Sequence, residues 1–72
     1  MSDYTETLKQ IPAEGLQQIV SHLSSKPYLK MACETIKRNG SHTIHYGTVC
    51  SIELRSILDI DTLIEQLAKV MQ

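Results

Sequence analysis

The chain has 72 residues, 42% apolar and 21% charged, with no Phe, no Trp and a formal net charge of -1. That is one domain spanning residues 1–72, and at this size it buries only about 60% of the surface exposed on unfolding, which argues against a deep catalytic cleft. Below about 80 residues a further staple such as oligomerisation is expected, and no apolar run approaches the roughly 18 residues that span a bilayer.

The polar stretch Met1–Gln10 does not read as a signal peptide, and Cys33 and Cys50 form no CxxC pair. Free thiols in a reducing, cytoplasmic compartment are therefore expected. Within Ser2–Gln10, Tyr4, Leu8 and Ile11 recur at i, i+4 and i+7 and predict a short first helix. Pro12 stands where a first-turn proline belongs, and Leu16, Ile19, Val20 and Leu23 form the apolar stripe of a second helix, opposite Glu14, Gln17, Gln18 and Ser21. Gly15 lowers the propensity of that helix by about 1 kcal/mol against Ala.

Ser24-Ser25-Lys26-Pro27 breaks the pattern and supplies a capping hydroxyl. A third helix, from about Pro27 to Asn39, follows from the stripe Leu29, Ala32, Cys33 and Ile36, with Asn39-Gly40 as its left-handed stop. The period then changes to two. Ile44 and Tyr46 share one face, as do Cys50, Ile52 and Leu54, which predicts a β-hairpin with Gly47 in its connection. A competing helix over 48–58 would leave Ile52 on its polar side.

Asp59 or Asp61 is the expected cap of a last helix, with Leu58 stapled against Leu63. Ile60, Leu63, Leu67 and Val70 step by 3, 4 and 3, and Ile64 and Met71 widen that stripe along one edge. The stripe suits either the chain's own core or a second chain, and Ile60, Leu63, Ile64, Leu67 and Met71 are the expected homodimer contact. The fold class is α+β and mostly helical: three helices, a β-hairpin and a C-terminal helix.

Charge is segregated. From His22 to Tyr46 the net charge is +3, from Lys26, Lys30, Lys37 and Arg38 against Glu34, and the rest of the chain carries -4. The order short helix, helix, tight turn, helix, hairpin resembles a winged helix-turn-helix, a resemblance of pattern carried by about residues 15–57, with Leu16–Leu23 as positioning helix and Pro27–Asn39 as recognition helix. That resemblance implies that Ser25, Lys26, Tyr28 and Lys30 face double-stranded DNA, with Thr35, Lys37 and Arg38 nearer phosphates. The turn holds no glycine and the hairpin no Arg/Lys cluster, which departs from the pattern and leaves contact to the helix rather than the wing.

Cys33, His42, His45 and Cys50 have the residue types of a zinc site, but their spacing matches no finger, and buried thiols with exposed imidazoles are expected instead. Cys50 beside His45 lacks an oxyanion hole, and the three glycines are scattered. No catalytic residue, metal or cofactor is expected. The leading expectation is a small dimeric DNA-binding regulator of transcription or replication. The alternative is a protein–protein interaction module, an inhibitor or adaptor, using the last helix or the hairpin edge.

Overall fold

The computed structural model describes residues 3–46 and 50–72. Its elements are α1 (Thr5–Lys9), α2 (Ala13–Leu23), α3 (Lys26–Asn39), β1 (His42–Tyr46), β2 (Cys50–Leu54) and α4 (Ile57–Val70). The chain is α+β and mostly helical, as its periodicity requires. The expected position of Gly47 in the hairpin connection lies outside the described residues.

Local chemistry sets the helix ends. Asp3 Oδ1 accepts the Thr5 N–H at 3.0 Å ahead of α1, and this bond holds the Asp3 carboxyl below the usual range. Pro12 is extended, with ψ at 160°, so it precedes α2 rather than occupying its first turn. Ser25 Oγ accepts the Tyr28 N–H and starts α3 one residue earlier than expected. Gly40 ends it at φ 85°, a left-handed conformation that side chains with a Cβ rarely adopt.

The start of α4 differs from expectation. Ser56, not Asp59 or Asp61, is the cap, its Oγ accepting the Asp59 N–H at 3.3 Å, while the Asp59 carboxylate accepts the Arg55 N–H at 2.9 Å. The helix therefore opens at Ile57, and Leu58 is 74% exposed instead of stapled against Leu63.

The strands pair antiparallel with Ile44 opposite Ile52 and His42 opposite Leu54. Ile44, Ile52 and Leu54 are buried, whereas His45 and Ser51 are exposed. A helix would have forfeited the burial of Ile52, and pairing decides for the strand. β1 packs on α3, and β2 packs on α1 and α4.

Without Phe or Trp, the core is a mainly aliphatic cluster drawn from all four helices and both strands, joined by the Tyr4 ring. Its fully buried members Leu8, Leu54 and Leu63 come from α1, β2 and α4. Tyr4 ties these elements together, its N–H donating to Gln66 Oε1 at 2.6 Å and its hydroxyl to the Glu53 carbonyl at 3.2 Å.

Gly15 acquires a reason that helix propensity does not supply. A Cβ there would stand 2.6 Å from Ile11 Cγ2 and 2.6 Å from Tyr46 Cζ, inside contact distance of a rigid ring. Gly15→Ala gains about 1 kcal/mol of helix propensity and loses about 1–3 kcal/mol to overpacking. A net loss of 1 kcal/mol would lower the Tm of a domain this size by about 4–8 °C. Thermal unfolding followed by circular dichroism is expected to show a decrease, and a raised Tm would mean that the Tyr46 ring yields.

Candidate nucleic-acid interface

The residues expected to meet DNA lie on or beside α3, which packs on α2 and β1. Ala32 and Ile36 face inward and are buried, with Leu29 and Cys33 partly covered beside them. Lys26, Lys30, Lys37 and Arg38 are all exposed. At about 100° per residue, Lys26, Lys30 and Lys37 fall within about 40° of one another. Arg38 lies about 100° further round, with Glu34 between.

None of these four cations makes an ion pair or hydrogen bond among the described residues, where the salt bridges are Arg55–Glu53 and Lys69–Glu65. α3 therefore carries a net charge of +3, four cations against Glu34, and presents it to water. It is chemistry suited to phosphate, since Lys and Arg donate only and their charge is fully available to an incoming anion.

Ser25 and Tyr28 are used within the fold. The Ser25 hydroxyl caps α3, and Thr35 Oγ1 donates back to the Met31 carbonyl at 2.9 Å. Tyr28 was expected at the DNA surface, but its ring stacks on His22 at 4.8 Å between centroids and 24° between planes. The same ring meets His42 edge-on, with the hydroxyl and His42 Nε2 sharing a 3.1 Å hydrogen bond.

Partial burial pushes the Tyr28 hydroxyl above the usual tyrosine range. The three rings join the end of α2, the start of α3 and the start of β1, so they set how α3 is presented. The signal for His42 was present in the strand alternation, since it lies two residues before Ile44 on the inward face. It was expected to be exposed and is instead partly buried and bonded to Tyr28.

Comparison with known protein families, curated proteins and solved structures returns no match. The chemistry of the site has to be read from its own residues.

Of the residues expected at a homodimer contact, Ile60, Leu63 and Leu67 are 4%, 0% and 3% exposed within the single chain, so the domain's own core has used them. Only Ile64 and Met71, at 41% and 37% exposed, remain available to a partner. Cys33 is a partly buried free thiol and His45 is exposed, while the Cys50 side chain lies outside the described residues. Among the described residues, no three His, Cys, Asp or Glu side chains gather as a metal site, and no helix is long and apolar enough to cross a membrane.

Tyr28→Phe tests the positioning role of Tyr28. It keeps the ring contacts and removes the bond to His42, a change expected to cost about 0.5–1.5 kcal/mol in urea unfolding. Duplex affinity is expected to stay at the parent value, whereas a selective loss of affinity without a loss of stability would return Tyr28 to the binding surface.

Proposed function

We propose that this chain is a DNA-binding regulatory domain that engages duplex DNA through α3, in the manner of a winged helix-turn-helix. The observation that supports this reading is the set of four exposed cations on a capped helix, Lys26, Lys30 and Lys37 on one face and Arg38 further round, without ion pairs among the described residues, on a helix held against α2 across a tight turn and braced by the hairpin. Such a face attracts phosphate and releases condensed counterions on binding, which makes the affinity salt-dependent and largely indifferent to sequence.

Lys26 and Lys30 lie near the α3 N-terminus, the end by which a recognition helix enters the major groove. With Ser25 and Tyr28 engaged in the fold, all four cations, Lys26, Lys30, Lys37 and Arg38, serve the phosphate backbone. The overall charge of -1 does not oppose this, because the acids belong mainly to other elements of the chain.

Fluorescence anisotropy of a labelled random duplex, titrated at stepwise salt concentrations, tests the reading. Four phosphate contacts are expected to give a slope of log Kobs against log salt near roughly -3.6, and Lys26→Gln with Lys30→Gln to reduce its magnitude by about 1.8. Absence of a complex at low salt, or an unchanged slope in the double variant, would remove DNA binding from α3.

A further inference from the structure

Beyond the α3 face, α4 carries a second apolar stripe. Ile60, Leu63, Leu67 and Val70 pack into the core, whereas Ile57, Ile64, Ala68 and Met71 recur at i, i+7, i+11 and i+14 along an outward edge. Ile57 is 45% exposed, Ile64 41% and Met71 37%. Over its C-terminal half this edge faces Val20 and Leu23 of α2 and Ser24 just after it, and the two helices flank a groove of about 180 Å³.

The volume lies below the roughly 300–1,000 Å³ of small-molecule sites and suits one or two aliphatic side chains entering from outside. A helix laid along a groove supplies such anchors at i, i+3 or i+4, and i+7. The rim then selects among helices. Asp61 and Glu65, one turn apart, flank the stripe on its solvent side. Asp61 makes no ion pair or hydrogen bond among the described residues. Among the described residues Glu65 meets only Lys69, at 4.0 Å with side chains 73% and 72% exposed, a pairing too solvated to neutralise it.

A second copy fits this rim poorly. An isologous pairing of α4 with its own image, antiparallel about Ile64, sets each flank against the same flank and brings Asp61 and Glu65 beside their counterparts. We propose that the α2–α4 groove receives an amphipathic helix of another protein, with aliphatic anchors in the groove and Lys or Arg along the flank that meets Asp61 and Glu65. Because α3 packs chiefly on α2 and β1, its cationic face is left free while the groove is filled.

Two synthetic helical peptides with the same leucine anchors, one flanked by lysine and one by glutamate, test this on the full chain. In amide chemical-shift titrations the lysine peptide is expected to saturate and to perturb Val20, Ile64, Ala68 and Met71, with the glutamate peptide at least about tenfold weaker. Asp61→Lys with Glu65→Lys, both at exposed positions, is expected to keep the circular dichroism spectrum and reverse the preference. Equal affinities, perturbations mapping to α3, or no reversal would overturn the proposal. So would a two-chain mass in sedimentation that Ala68→Glu reduces to one, which would assign the groove to a second copy. None of these readouts depends on the duplex titration.

Discussion

The closure of α1, β2 and α4 over three fully buried leucines, Leu8, Leu54 and Leu63, is the contact on which the rest of this fold depends. In a chain with no Phe or Trp, where Tyr4 is the large ring of the buried core, most of the buried volume must come from aliphatic side chains converging from every element. Each leucine fully removed from water contributes about 1.5–3 kcal/mol. The three come from near the start, the hairpin and the last helix, and burying them together ties the ends of the chain to its middle. Tyr4 reinforces that closure with one hydrogen bond into α4 and one to the β2 backbone.

The closure determines what the surface offers. Once Ile60, Leu63 and Leu67 are committed inward, α4 is left with the edge through Ile57, Ile64, Ala68 and Met71 and with the acids that border it. On α3 the inward demand is met by Ala32 and Ile36, so Lys26, Lys30, Lys37 and Arg38 remain in water without partners among the described residues. The near-neutral total charge conceals two faces of opposite character, one cationic on α3 and one apolar and acid-rimmed on α4. The first presents hydrogen-bond donors and positive charge to water, and the second an aliphatic strip bordered by carboxylates.

Much of the fold was legible because its signals are local. The stripe Leu16, Ile19, Val20 and Leu23 and the cap at Ser25 and stop at Gly40 each depend on residues within a turn or two of one another. The hairpin was legible through the alternation that placed Ile44 and Ile52 on matching faces, later paired across the strands. The cap of α4 was misplaced because Ser56, Asp59 and Asp61 all have capping chemistry, and only the chain's exit from β2 selects Ser56. The exposed lysines of the candidate site were readable from helical period alone. Tyr28 was not, since an amphipathic ring on a helix edge is equally suited to water or to a neighbour, and its neighbours His22 and His42 lie on other elements.

By itself, then, the sequence determined the order and type of the elements, the inward stripe of each longer helix and the separation of charge along the chain. These follow from periodicity and from residue chemistry, which act over short distances. Tertiary structure decided which of the two apolar edges of α4 is core, why residue 15 must lack a Cβ, and which tyrosine brings three elements together. Each of those outcomes is set by a side chain far away in sequence, such as the Tyr46 ring against Gly15, and no local pattern encodes which distant surface will arrive.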